Sequence, residues 1–403
     1  MPKALLSAID PASLNGRTVL VRADLNVPLN GMKVADDTRL QASVPTLKFL
    51  LDCGARVVLM SHLGRPGGTP DPQFSLAPVA SELRGCLEYP VHFVPATVGG
   101  EVEAALGALR NGEVLVLENT RFMPGDTAND PQMAQALASL CDLFVNDAFG
   151  AAHRAHASTS GVAEAVKAKG GQAVAGLLME KELAFLGEAL TNPERPFVGV
   201  LGGAKISGKI DVVEALLPRV DRLLIGGAMA NTFLLALGLE VGSSLVEEDR
   251  LDMARDLMDR AGDRLVLPVD CRVAGEISAT ATVREVARTE VIKGDLIADI
   301  GPETARMYGA ILAGAKTVLW NGPMGVFELA PFAAGTIAVA QAAAAATDAG
   351  AVTVLGGGDS AAAAEAAGVT DRLTHISTGG GASLEFLAGA TLPGVDALSE
   401  AQA

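Results

Sequence analysis

Two periods of apolar residues alternate along this chain. Short β-branched runs that close on polar residues are each followed by stretches with apolar residues at helical spacing, and this order recurs from end to end. In the first half the strand-like runs are TVLVRADLNVP (18–28), ARVVLMSHLG (55–64), EVLVLENTRF (113–122) and LFVNDAFG (143–150). Around Gly170 and Gly171 the pattern softens, and residues 177–190 then carry apolar positions at helical spacing until Asn192 and Pro193. After Pro196 the alternation resumes with PFVGVLGG, RLLIGGAM, RLVLPVDCRVA and KTVLWNGPMG as strands, and GPETARMYGAILAGA and an alanine-rich stretch as helices. Strands alternating with crossover helices predict a parallel sheet covered on both faces. The expected fold is α/β, with two doubly wound parallel-sheet (Rossmann-like) domains joined by a hinge helix: residues 1–170, the helix 171–191, and 192–387.

Ligands of open α/β sheets sit beyond the carboxyl ends of the strands. In the first half those ends offer Arg22, Asp24 and Asn26; His62 and Arg65; Glu118, Asn119 and Arg121; and Asn146 and Asp147 followed by His153, Arg154 and His156. Arg39 stands at a helix start. Arginine forks bind carboxylate and phosphate oxygens in pairs, so this grouping predicts a local anion site. His153 and His156 have no third histidine and no nearby cysteine to complete a zinc set.

The stretch 352–385 repeats one construction. VTVL and LTHIS each run into three glycines, Gly356 to Gly358 and Gly379 to Gly381, that open a helical stretch. Bare amides at the positive end of a helix suit phosphate, and Asp359 is the kind of oxygen ligand that Mg²⁺ takes beside phosphates. Further glycines at Gly202, Gly203, Gly226, Gly227, Gly322 and Gly325 bring backbone close to something flat or anionic, which a nucleotide is on both counts.

Composition narrows the class. At 403 residues with 49% hydrophobic side chains, the chain exceeds what one core usually serves. Its 31 Lys+Arg against 47 Asp+Glu leave a net charge of −16, which argues against a general nucleic-acid or anionic-membrane surface. Cys53, Cys86, Cys141 and Cys271 form no paired motif and fit a reducing cytosol. The amino-terminal segment lacks a signal-peptide h-region, and the uncharged stretch 329–347 is mostly alanine, so it reads as a packed soluble helix.

Three other classes compete. Gly203 to Lys209, GAKISGK, fits the G-x-x-x-x-G-K of a P-loop NTPase, but Ile210 stands where that motif needs a metal-binding Ser or Thr. GGGDSA at 356–361 fits a dinucleotide fingerprint, but the next strand ends in Ser377 and Thr378 where an acidic residue is required. A non-catalytic nucleotide-binding protein predicts binding without turnover.

VRADLNVP, SHLGRP, LENTRF, VNDAFGAAHRAHAS, GGAKISGKI, WNGPMGVFE, GGGDS and STGGGASLE, in this order between residues 21 and 385, make the chain resemble the phosphoglycerate kinase family. LPGVDALS in the tail matches too. The resemblance implies Mg-dependent, reversible transfer of the 1-phosphoryl group of 1,3-bisphosphoglycerate to ADP, giving 3-phosphoglycerate and ATP, in a cytoplasmic monomer. It implies an acid site of Asp24, Leu25, Asn26, Arg39, His62, Leu63, Gly64, Arg65, Arg121 and Arg154. The nucleotide would lie against Lys205, Lys209, Gly227, Asn321, Pro323, Gly356, Gly357, Gly358, Asp359 and Ser360, with Glu328 on the ribose and Mg²⁺ on Asp359. Arg39 and Lys205, with the backbone N–H groups of Gly358 and Gly381, would surround the migrating phosphoryl. Residues after about 388 are expected to return to the first domain. Gly208 and Ser360 depart from the family's common Asp and Thr; the serine keeps the hydroxyl.

Overall fold

The computed structural model describes residues 2–401, and these divide into two compact units. One runs to Ala184 and takes up the chain again from Thr391; the other is Phe185–Ala390.

The first unit is built on six parallel strands: β1 Thr18–Ala23, β2 Arg56–Met60, β3 Val91–Phe93, β4 Val114–Val116, β5 Leu143–Asp147 and β6 Gln172–Ala175. They lie in the order β3-β4-β2-β1-β5-β6. Every residue of β1 is buried, as expected of a central strand covered by helices on both faces. Topology turns between β1 and β5, the crevice position where doubly wound sheets bind ligands.

The second unit repeats the plan with β7 Phe197–Leu201, β8 Arg222–Ile225 and β9 Leu265–Val266, then β10 Asp270–Ala274, β11 Arg284–Ala287, β12 Leu296–Ile300, β13 Thr317–Asn321, β14 Val352–Gly356 and β15 His375–Ile376. Its parallel sheet has the order β9-β8-β7-β13-β14-β15, with the switch between β7 and β13. The pattern reads RLVLPVDCRVA as one strand; the structure splits it. β9 belongs to the parallel sheet, and β10 enters an antiparallel sheet ordered β11-β10-β12. Pro268 lies at the break, where it supplies no amide to a ladder.

Residues 329–347 form a short turn followed by the Ala334–Asp348 helix, whose buried face is made of Gly335, Thr336, Val339, Ala340, Ala343, Ala344 and Ala346. Among the described residues no helix is long and apolar enough to cross a membrane. Helix Leu177–Thr191 begins in the first unit and ends in the second. Its first turn is fixed by Asp147 at the end of β5, whose Oδ1 accepts the amides of Leu178 at 2.9 Å and Met179 at 3.2 Å. Burial pushes the Asp147 carboxyl up to about 6, against the pull of those bonds and of Thr46.

From Thr391 the chain lies along the first unit. Ser399 and Ala173 exchange hydrogen bonds, Asn146 Nδ2 donates to the carbonyl of Gly394 at 2.9 Å, and Lys3 Nζ pairs with Glu400 at 2.7 Å.

Candidate functional site

The first unit concentrates cations beyond β1 and β2. Arg22 is the center of this group, with 1% of its surface exposed. Its Nε donates to Ser158 Oγ at 3.3 Å, its Nη1 to the carbonyl of Ala23, and its Nη2 meets His62 Nδ1 at 2.9 Å. A guanidinium can only donate, so Nδ1 of His62 accepts and the ring proton sits on Nε2. Burial, with Arg22, Arg121, Arg39 and His156 around it, holds His62 well below its usual pKa, which keeps the ring neutral.

Arg39, in the first turn of the Thr38–Asp52 helix, donates Nη1 to Asp24 Oδ2 at 3.1 Å and to the carbonyl of Asn26 at 3.3 Å. Asn26 Oδ1 accepts the amide of Gly64 at 2.8 Å, and Leu25 is fixed through its amide to Ser61 Oγ at 2.9 Å. Arg121 Nη1 bonds the carbonyl of Gly64 at 2.7 Å. Burial and then the charges of Arg22 and Arg154 lower its pKa to about 10. The groups thus repel one another when no anion is present. Arg65 and Arg154 are exposed, and Arg154 Nε donates to His153 Nε2 at 3.0 Å.

Four strand-end residues that the pattern offered as ligands are bonded within the fold. Glu118 accepts from Ser75 Oγ and from the amides of Leu76 and Asn119. Asn146 holds the tail and the amide of Ala148, and Asp147 caps the helix described above. Asn119 braces the neighbouring loop through the amide and carbonyl of Leu63. Sequence reasoning passed over two supports. Asp126, fully buried, accepts from Thr120 Oγ1 at 2.7 Å and from the amide of Ser158 at 3.1 Å, placing a negative charge beneath Arg22. Ser158 carries that link to the guanidinium.

In the second unit the turns after β7, β13 and β14 are tied together. Lys209 Nζ donates to the carbonyls of Gly202 at 2.5 Å and Asn321 at 3.0 Å. Asn321 Nδ2 donates to the carbonyl of Gly356 at 2.6 Å, while Ser360 Oγ accepts the amide of Gly322 at 2.7 Å and donates to the carbonyl of Gly356 at 2.8 Å. Trp320, fully buried, sets the NGPMG turn by donating to the carbonyl of Gly322 at 2.7 Å. Pro323 accepts the amide of Gly203 at 3.0 Å. Gly227, at φ 66°, opens a helix where a Cβ would come within 2.4 Å of the Gly203 nitrogen, so no side chain fits.

Gly357, at φ 91°, turns the chain from β14 into the Gly358–Ala366 helix, leaving Gly358 and Asp359 exposed at its start. Gly381 opens the next helix, and Glu328 and Lys205 are exposed. Burial lowers Lys209 to about 8, with Asp359 pulling it back up. Among the described residues no group of three or more His, Cys, Asp or Glu could hold a metal ion. A single carboxylate beside phosphates is how Mg²⁺ is commonly held when it arrives on a nucleotide, and Asp359 fits that mode.

The GAKISGK stretch does not have P-loop geometry. Its lysine is bonded to carbonyls of its own chain, and the amides of Ile206 and Ser207 are taken by the carboxylate of Glu247.

A family model described as phosphoglycerate kinase matches residues 9–390. The chain is 56% identical over 393 residues to a phosphoglycerate kinase of Chloroflexus aggregans, covering 96% of this chain and 97% of that one. It is 53% identical over 403 residues to the enzyme of Chlorobium luteolum, covering 99% and 100%. Among solved structures, phosphoglycerate kinase from Coxiella burnetii superposes with a TM-score of 0.87 at 41% identity, and that from Pyrococcus horikoshii with 0.84 at 34%, each over 98% of both chains.

Proposed function

The chain belongs to the phosphoglycerate kinase family, and from that premise we propose how its two residue sets share the reaction. The activity is reversible transfer of the acyl phosphate of 1,3-bisphosphoglycerate to ADP, giving 3-phosphoglycerate and ATP. The first unit holds the three-carbon acid. Arg39, Arg65, Arg121 and Arg154 take its carboxylate and phosphate oxygens, Asp24 and Asn26 take its hydroxyl side, and neutral His62 donates from Nε2. The observation that carries this reading is the buried Arg22–His62 pair at the crevice of a sheet whose surrounding arginines repel one another.

The second unit takes the nucleotide. Lys209 and the glycines 356–358 receive its phosphates, Gly227, Asn321, Pro323 and Ser360 shape the adjoining wall, and Glu328 takes the ribose. Mg²⁺ enters as part of the nucleotide substrate, with Asp359 as its protein ligand, and supplies neutralisation of phosphate charge. A carboxylate leaves an acyl phosphate without a proton, so no general base is needed and positioning with charge stabilisation supplies most of the rate. Arg39 and Lys205 stabilise the equatorial oxygens of the phosphoryl group in flight, together with the amides of Gly358 and Gly381. Acid and nucleotide are held by different units, so transfer requires these to close, bending about the Leu177–Thr191 helix and excluding the water that would hydrolyse the acyl phosphate. The protein works as a cytoplasmic monomer.

A coupled assay with 3-phosphoglycerate and Mg-ATP is expected to show ADP formation that depends on both substrates. ATP hydrolysis without the acid would point to an NTPase, and tight nucleotide binding with no turnover to a binding protein.

The role of Lys209 has its own test. With its pKa lowered to about 8 by burial, the free protein carries a partly neutral amine at pH 8.5. Phosphate oxygens arriving beside it favour the charged form and raise that value, so nucleotide binding takes up protons at this pH. Titration calorimetry in two buffers of different ionisation enthalpy is expected to show this uptake, shrinking toward zero at pH 7 where the ammonium is already formed. Full affinity with no uptake at pH 8.5 would remove Lys209 from the phosphates.

A further inference from the structure

One carboxylate outside the residues assigned so far is bonded to the loop that carries Lys205. Glu247 Oε2 accepts the amides of Ile206 at 2.6 Å and Ser207 at 3.1 Å, and its Oε1 accepts the hydroxyl of Ser207. Burial pushes this carboxyl up, but the Ser207 hydroxyl, the two amides and the charge of Lys205 outweigh it and hold Glu247 below the usual carboxylate range. Glu247 is itself anchored. Its amide donates to Thr232 Oγ1 at 3.2 Å, and two residues earlier the carbonyl of Leu245 accepts from Asn231 Nδ2 at 3.2 Å. Asn231 and Thr232 are buried in the Gly227–Ala236 helix, which starts against Gly203. A continuous chain of bonds therefore runs from a buried helix, through Glu247, to the two peptide groups that follow Lys205.

Such a tether has a physical task here. Lys205 is exposed, its side chain is long and rich in rotamers, and an ammonium acts as a point charge whose placement depends on its backbone. The loop beneath it runs from Gly202 and Gly203, whose amides are bonded to Asn321 and Pro323, to Gly208, a residue that leaves the backbone a wide choice of conformations. At Gly208 an added Cβ would meet nothing within 4 Å, so packing does not restrain the loop there.

We propose that Glu247 is a positioning residue for phosphoryl transfer: by ligating the amides of Ile206 and Ser207 it fixes the backbone from which Lys205 reaches the reacting group. The same bonds occupy the amides that would otherwise make GAKISGK a phosphate cradle, so the phosphates are left to the Lys209 side chain and the glycines 356–358. The inference rests on the role given to Lys205 above.

Steady-state kinetics with 3-phosphoglycerate and Mg-ATP on Lys205→Ala, Glu247→Ala, Glu247→Gln, Ser207→Ala and the Lys205→Ala/Glu247→Ala double variant test it. Glu247→Ala and Glu247→Gln are expected to lower kcat about tenfold, the scale on which supports of a reacting group act. Both KM values should stay within about twofold, because ground-state binding is not what is lost. Ser207→Ala, which removes one of the three bonds, should give a smaller loss of the same kind. In the double variant, removing Glu247 should cost nothing further, since the group it positions is gone. If Glu247→Ala does not fold, Glu247→Gln and Ser207→Ala carry the test. Unchanged kcat in the Glu247 variants beside a large loss in Lys205→Ala would overturn the tether and leave Lys205 in its role. An equal fractional loss from Glu247→Ala with and without Lys205 would overturn it as well, as a merely structural effect. Unchanged kcat in Lys205→Ala alone would instead remove Lys205 from the transfer, and the tether with it.

Discussion

Lys205→Ala is expected to lose kcat by about 100-fold or more, corresponding to about 3 kcal/mol of barrier, the usual cost of removing one preorganised donor from a developing charge. Lys205 is exposed, and the turns after β7, β13 and β14 are held together by Lys209, Asn321 and Ser360. Nucleotide KM should therefore change little, which separates this variant from Lys209→Ala, where binding itself should weaken. Stopped-flow or coupled kinetics with both substrates varied distinguish the two. A Lys205→Ala enzyme with raised nucleotide KM and normal kcat would assign the side chain to ground-state binding instead.

Arg22→Met should damage both stability and acid binding while sparing the nucleotide. The substitution keeps a long apolar side chain in a fully buried strand but removes every donor from the middle of the site. Ser158 Oγ, the carbonyl of Ala23 and His62 Nδ1 lose their partner, and the carboxylates of Asp126 and Asp24 lose a neighbouring cation. Buried groups left without partners cost about 1–3 kcal/mol each. Against this stands the cost of burying a guanidinium, visible as the lowered pKa of Arg22. We expect a net loss of about 2 kcal/mol in denaturant melts. His62, no longer held in one tautomer, should turn its ring, and KM for 3-phosphoglycerate should rise at least about tenfold, as loss of a charge-assisted bond would give. A variant with unaltered stability and acid affinity would show that His62 is oriented without Arg22.

The central strands of both sheets were legible because they are buried on both faces, so β1, β2, β5, β7, β13 and β14 read as unbroken β-branched runs. The edges were not. VHF in β3 and QAVA in β6 are only three and four residues long, and REVA in β11 has half of its residues exposed, so none shows an apolar period. The cation cluster was visible from strand ends alone. What the pattern could not separate was ligand from support: Glu118, Asn146 and Asp147 have the same chemistry and position as Asp24 and Asn26, and the oxygens of all five accept backbone amides. Ser158, 136 positions from Arg22, and Glu247, 41 from Ile206, leave no local trace of their partnership.

The return of the chain after Thr391 to the unit it began in means that the unit Phe185–Ala390 is an insertion, spelled out whole before its host is complete. On the ribosome, the first unit must wait for its last residues, which supply Gly394 to Asn146 and Ser399 to Ala173, while the inserted unit can already have closed its own sheet. Synthesis order and order of completion are thereby expected to be reversed for the two units, and a nascent chain stalled short of residue 391 should hold a finished second unit and an unfinished first.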